Sequence, residues 1–197
     1  MKKILHIVSA ILCFTAPLKA QTPQTKGQFQ LFAGYSLMRA NVREYYKSSS
    51  IVYSVNDHWA NLSGWDIGLT ENVKKWFGGT LDVSGNYKSP VLQGITTSEK
   101  AYSLLYGPHF FYPGHRFVPF AHVLGGVTHV SAAVPAPGPN VSGTSFALAP
   151  GAGLDVRVGR VMSIRVIQAE YFHTDFQSAS KNQLRGSAGV VFDLNKK

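Results

Sequence analysis

From residue 27 to residue 194 the chain repeats one pattern eight times: a stretch in which apolar and polar residues alternate, then a connection that is by turns long and short. A period of two puts successive side chains on opposite faces of a strand. In the first stretch Phe29, Leu31, Ala33, Tyr35 and Leu37 share one parity, while Gln28, Gln30, Gly34 and Ser36 share the other. The second, near 61–71, sets Trp65, Ile67 and Leu69 against Gly64, Asp66, Gly68 and Thr70. The third, near 76–87, sets Phe77, Leu81, Val83 and Tyr87 against Thr80, Asp82, Ser84 and Asn86. The sixth opposes Phe146, Leu148, Ala152, Leu154 and Val156 to Gly151, Gly153, Asp155 and Arg157, and the eighth opposes Leu184, Ala188, Val190 and Phe192 to Arg185, Ser187, Gly189 and Asp193. Stretches 100–112, 116–130 and 161–172 are more apolar and less periodic, and Pro108, Pro119 and Pro150 point to bulges or frayed strand ends.

The connections decide how such strands are joined. Glu71–Lys75, Tyr112–Arg116 and Val158–Val161 are turn-sized, whereas 39–59, 88–99, 131–144 and 173–182 are long and carry most of the Ser, Asn, Pro and Lys. This rhythm predicts an all-β, eight-stranded antiparallel up-and-down transmembrane barrel, with short turns and both chain ends on one side of the membrane and four long loops on the other. Strands of 10 to 13 residues suffice, since about 9 to 11 cross a bilayer when tilted. A soluble sandwich or a lipocalin-like barrel would alternate too, but with the apolar face inward. Trp65, Tyr87, Tyr102, Tyr106, Phe110, Phe111, Tyr112, Tyr171, Phe172 and Phe192 lie mostly near strand ends, where the aromatic girdles of a membrane barrel belong.

Export is legible at the N-terminus. Lys2 and Lys3, the apolar run Ile4–Leu18 and the small Ala20 predict a cleaved signal peptide over residues 1–20, leaving residues 21–197 as one barrel domain. Cys13 falls within the leader behind Leu12, where a lipoprotein signal would have a small residue, so the mature chain is expected to lack disulfides and thiol ligands. Of 19 basic residues, Lys2, Lys3 and Lys19 leave with the leader, and the rest exceed the 10 acids by about 6 charges. These charges are scattered among turns, loops and strand interiors, which argues against nucleic acid and for anionic lipid headgroups as their partner.

On the segments Arg116-Phe117-Val118-Pro119-Phe120-Ala121-His122, Gly151-Ala152-Gly153-Leu154-Asp155 and Ser187-Ala188-Gly189-Val190-Val191-Phe192, together with the leader and the eight-strand meander, the chain resembles the small outer-membrane barrels of the OmpA and OmpX type. The resemblance covers residues 27–194 and implies residence in a bacterial outer membrane and insertion by a barrel assembly machinery. Many such barrels end on an aromatic residue; here Phe192 is followed by Asp193-Leu194-Asn195-Lys196-Lys197.

Asp66, Asp82, Asp155, Arg157, Arg165 and Arg185 have the parity of the lumen. Side chains fill the interior of an eight-stranded barrel, and buried charges must pair, so these six are expected to form a salt-bridged plug, with a narrow ion path as the alternative. His129-Val130-Ser131 brings to mind outer-membrane lipid A deacylases, but a base and nucleophile need an orienting third group, and the next carboxylate along the chain is Asp155. His58 or His173 with Asp57 or Asp175 would suit a palmitoyltransferase but lacks a nucleophile context. His109, His115, His122 and His129 recur at six or seven residues, outside zinc-site spacing. No metal or other cofactor is expected. Asn61-Leu62-Ser63 and Asn140-Val141-Ser142 are glycosylation patterns without meaning in a bacterial envelope.

The reading is a monomeric, non-catalytic barrel with a structural or adhesion-like role. Its contact candidates are Tyr45, Tyr46, Tyr53 and Trp59 in the long first loop, with Ile51 and Val52 beside them, because exposed aromatics favour recognition. Removal of about residues 42–57 should then abolish adhesion and spare assembly. A lipid-modifying enzyme and a conduit for hydrophobic ligands are the alternatives.

Overall fold

A computed structural model describes residues 28–48, 51–88, 91–92, 95–96, 98–133, 140–176 and 179–194. For 40–60, 89–99, 132–141 and 175–181 the description extends at most to the backbone. The expected leader and Cys13 lie outside it. Ten strands are present: β1 (Gln28–Ser48), β2 (Ile51–Asn72), β3 (Phe77–Lys88), β4 (Val91–Leu92), β5 (Ile95–Thr96), β6 (Ser98–Phe111), β7 (Phe117–Ala133), β8 (Asn140–Arg157), β9 (Met162–Phe176) and β10 (Ala179–Asp193). Eight of them close into an antiparallel barrel in the order β1-β10-β9-β8-β7-β6-β3-β2, and β4 and β5 pair with each other. Closure comes from β1 against β10, from Gln30 opposite Asp193 to Arg39 opposite Leu184, with Gln30 Nε2 donating to Asp193 Oδ1 at 2.7 Å. A closed ladder leaves no strand edge within the wall, which is what a hydrocarbon surround demands of backbone amides and carbonyls.

The faces are inverted relative to a water-soluble barrel. Ser36, Asp66, Asp82, Ser84, Asn86, Gln168, Glu170 and Arg185 are buried in the lumen, while Tyr35, Leu37, Ile67, Leu104, Val123, Val127, Ile164 and Val166 are exposed around the outside. Burial of polar groups beside exposed aliphatic ones is unfavourable in water but matches lipid outside and a hydrogen-bonded plug inside. At the short-turn end Trp76 stacks on Phe110 at 6.2 Å and Phe77 tilts against Phe110 at 5.3 Å; Tyr112 and Phe117 are exposed nearby. Phe172, expected in a girdle, is fully buried in the lumen.

The three turns are tight. Val73 N and Lys74 N donate to Phe77 O at 3.1 and 2.9 Å, Gly114 N to Tyr112 O at 2.8 Å, and Val158 N to Met162 O at 3.2 Å. The long connections are shorter than the sequence pattern implied, because strand pairing runs on past the barrel wall. β1 and β2 stay paired to Ser48 opposite Ile51, with a register shift between Arg43 and Glu44, and β7 and β8 stay paired to Ala133 opposite Asn140. The alternation fades there because nothing distinguishes the two faces of a ribbon standing in water.

The poor periodicity of the seventh stretch has a local cause. Ser187 pairs with Gln168 and Gly189 with Arg165, so Val166 and Ile167 together face Ala188 as a β-bulge. Both bulge residues are exposed, and the extra residue lets odd-numbered Arg165 and even-numbered Gln168 and Glu170 all enter the lumen. Pro108 and Pro150 interrupt the ladder without shifting its register, whereas Pro119 stays paired opposite Leu154. Between β6 and β7 pairing lapses from Tyr106 opposite Gly125 to His109 opposite His122, across Pro108; between β8 and β9 it lapses from Leu148 to Gly151, across Pro150.

Candidate functional site

The lumen contains two ionic groups. In the first, Arg185 on β10 donates through Nη2 to Asp82 Oδ1 at 2.8 Å, through Nε to Glu170 Oε2 and through Nη1 to Ser84 Oγ. Its guanidinium centre lies 4.7 Å from the Phe172 ring centroid, and Asp66 Oδ2 is 3.9 Å from Nη2. Glu170 Oε1 also bonds His122 Nε2 at 2.8 Å. In the second group Arg165 grips Asp155 with two donors, Nε to Oδ1 at 2.8 Å and Nη2 to Oδ2 at 3.0 Å, and gives Nη1 to Gln168 Oε1 at 2.5 Å. That guanidinium lies over the Phe32 and Phe120 rings, 4.3 and 4.2 Å from their centroids, and His109 stacks on Phe120 at 5.0 Å. A planar guanidinium suits this role because it forks onto a carboxylate in its plane and stacks on rings above and below.

Of the six charged residues singled out from the sequence, the structure brings Asp66, Asp82 and Arg185 into one group and Asp155 and Arg165 into the other. Arg157 stands apart: it is half-buried and donates Nη1 to Gly114 O at 2.8 Å, bracing the turn between β6 and β7. It is the last residue of β8, too near the mouth to reach the plug. Glu170, Gln168 and His122 complete the network and were not named from the sequence as its members. Their signal was present in Ser163 and Arg165 followed, one residue out of step, by Gln168 and Glu170, the trace that a bulge leaves in a strand.

Toward the loops the plug meets an apolar layer. Met38, Leu62, Leu105, Leu124, Ala147, Ala149 and Phe172 form one buried cluster. Leu124 and Phe172 each stand two positions nearer the loop end of their strand than His122 and Glu170, and Leu62 precedes Asp66 on the descending β2. The ionic groups therefore face a layer of apolar side chains on the loop side. Three carboxylates, Asp66, Asp82 and Glu170, share the single guanidinium of Arg185, and among the described residues neither oxygen of Asp66 has a hydrogen-bond partner. Among the described residues no group of three or more His, Cys, Asp or Glu is placed to hold a metal ion.

Of the residues considered for catalysis, the side chains of His58, Asp57 and Asp175 lie outside the described residues. His129 Nδ1 is 2.8 Å from Thr144 Oγ1 on the exposed outer face, and His173 Nδ1 is 2.9 Å from Asn182 Oδ1. Every carboxylate whose side chain is described lies in the lumen or, as Glu71 and Asp193, at the short-turn end. Of the first-loop aromatics, Tyr46 is opposite Tyr53, Tyr45 opposite Ser54 and Trp59 opposite Asn41 in the β1–β2 ladder; their side chains lie outside the described residues.

Neither a protein-family model nor a curated protein sequence matches this chain. Solved structures do. Neisserial surface protein A (NspA) is similar at 15% identity and a TM-score of 0.63, covering 84% of this chain and 97% of that one. Ail, the attachment invasion locus protein of Yersinia pestis, in complex with the heparin analogue sucrose octasulfate, is similar at 18% identity and 0.55, covering 85% and 100%. The outer membrane protein OprG from Pseudomonas aeruginosa follows at 11% and 0.53, covering 84% and 95%. The fold is that of the small eight-stranded outer-membrane barrels.

Proposed function

We propose that this protein is an integral outer-membrane barrel with a sealed lumen, whose function is to present strand-extended hairpins to a partner outside the cell. The observation that carries this reading is the β1–β2 ribbon. Pairing of β1 with β10 ends at Arg39 opposite Leu184, and pairing of β2 with β3 begins at Ser63 opposite Tyr87, yet β1 and β2 remain paired with each other to Ser48 and Ile51. A two-stranded arm with four candidate contact aromatics in its sequence thus stands clear of the wall. Unpaired backbone groups along both edges of such an arm, and aromatic residues along its length, are what surface recognition uses. The lumen occupied by paired charges and an apolar layer supports the same reading, since it leaves the loops as the working surface.

Because Val42 faces His58 in the ladder, residues 43–57 can be replaced by an Asn-Gly turn that closes the shortened hairpin in register. The replaced protein is expected to assemble and to shift its gel mobility on heating like the parent, and to lose attachment of the bacteria to host cells or extracellular matrix. Undiminished attachment by the assembled variant would refute the assignment to this arm.

A further inference from the structure

On the outer wall at the loop end, two register rows of aromatic, hydroxylic and basic side chains lie side by side on β3, β6, β7 and β8. The upper row is Tyr87, Lys100, Ser131 and Ser142, each opposite the next. The lower row starts at Gly85 and continues through Tyr102, His129 and Thr144. Gly85 is a necessary gap: a Cβ there would lie 2.9 Å from the Trp65 ring. Trp65 crosses this gap and donates its Nε1–H to the Tyr87 hydroxyl at 3.1 Å, and Tyr87 meets Tyr102 edge-on at 5.7 Å. One step toward the turns, the same strands expose Leu104, Val127 and Phe146. The rows follow the hydrogen-bond ladder, so with strands tilted by about 35–45° they climb from Tyr87 and Lys100, at the edge of the apolar wall, to Ser131 and Ser142 above it.

The electrostatics of the patch are one-sided. Lys100 brings a positive charge, His129 Nδ1 is 2.8 Å from the Thr144 hydroxyl, and no carboxylate whose side chain is described lies on the outer wall at the loop end. Four adjacent strands span about 14 Å, the width of a phosphorylated disaccharide and more than a single phosphodiester needs. We propose that these rows bind the phosphorylated sugar headgroup of an outer-leaflet glycolipid. Lys100 pairs with a phosphate as a point charge. Ser131, Ser142, Thr144 and His129 hydrogen-bond the sugar, Trp65, Tyr87 and Tyr102 cover its apolar faces as amphipathic rings do at an interface, and the acyl chains run down over Leu104, Val127 and Phe146.

The inference rests on the outer-membrane placement above, which gel mobility and protease resistance of the refolded barrel test separately from headgroup binding. Protein in phosphatidylcholine nanodiscs would be titrated with bisphosphorylated diglucosamine lipid, with the same lipid lacking phosphates, and with phosphatidylglycerol, following Trp fluorescence and lipid retention in native mass spectrometry. The expected result is retention of the bisphosphorylated glycolipid about tenfold above either control. A comparable loss is expected in Lys100→Gln, and again in Ser142→Asp, which places a repelling charge in the upper row. Lys74→Gln, which removes an equal charge from a turn at the opposite end, should bind as the parent does. Equal retention of phosphatidylglycerol would show a general anionic-lipid surface and overturn the glycolipid assignment. Unchanged binding by a folded Lys100→Gln or Ser142→Asp barrel would overturn the site itself.

Discussion

Replacing Arg185 by Met puts the architecture of the plug to a quantitative test. The side chain is fully buried and holds Asp82, Glu170 and Ser84 by direct hydrogen bonds, with Asp66 at 3.9 Å. Methionine keeps much of the packing against Phe172 but leaves two directly bonded carboxylates without their cation. Breaking a buried ion pair from one side costs about 3–5 kcal/mol, and two acids losing one partner put Arg185→Met at the upper end of that range. With a urea slope of about 2 kcal/mol/M, the unfolding midpoint should fall by roughly 2 M. The assay is equilibrium urea unfolding in lipid vesicles, followed by Trp fluorescence and by heat-dependent gel mobility. Acidification should recover part of the loss, because protonated carboxyls no longer need a cation. Arg157→Met is the control: it gives up one bond to the Gly114 carbonyl at a half-buried site and should cost about 1 kcal/mol. A loss below about 1 kcal/mol for Arg185→Met would mean that water reaches the acids, and the sealed plug would be refuted.

The apolar layer above the plug gives a second expectation: Leu124→Ala, at a fully buried site, should destabilise by about 2–5 kcal/mol through the cavity it leaves, measured by the same unfolding assay. On the outer face, Leu104 is opposite Val83, between Phe77 at the turn end and Tyr87 at the loop end, so Leu104→Arg places a charge deep in the lipid-facing wall and should cost about 2–4 kcal/mol in vesicles. Gly64→Ala would bring a Cβ to within 1.8 Å of the Gly85 carbonyl oxygen, so a reduced folded yield by gel mobility is expected, together with local loss of amide protection between β2 and β3.

Sequence alternation alone was enough to specify a membrane barrel because each lipid-facing strand is constrained twice, once by hydrocarbon outside and once by polar packing inside. Asp66 beside Ile67, and Arg185 beside Leu184, leave little choice of face. The short turns bound the strands at one end: Pro113 with Gly114, and Gly159, mark two of the reversals, and the polar run Glu71–Lys75 marks the third. The loop ends were less legible: outside the bilayer no solvent difference separates the two faces of the β1–β2 arm, so pairing there leaves little trace in the pattern.

What the tertiary structure alone decided is which charges meet. Arg185 and Asp82 are 103 positions apart, and their contact depends on barrel closure, which no local pattern encodes. Glu170 enters the lumen because a bulge at Val166 and Ile167 shifts the parity of β9, and Arg157 stays out because β8 ends on it. The outer patch, too, exists only through register: Tyr87, Lys100, Ser131 and Ser142 come from four separate strands, and it is the hydrogen-bond ladder that sets them in one row. Face and membrane placement follow from a period of two in the sequence; the partners across the lumen and along the wall follow from the closure and stagger of the barrel.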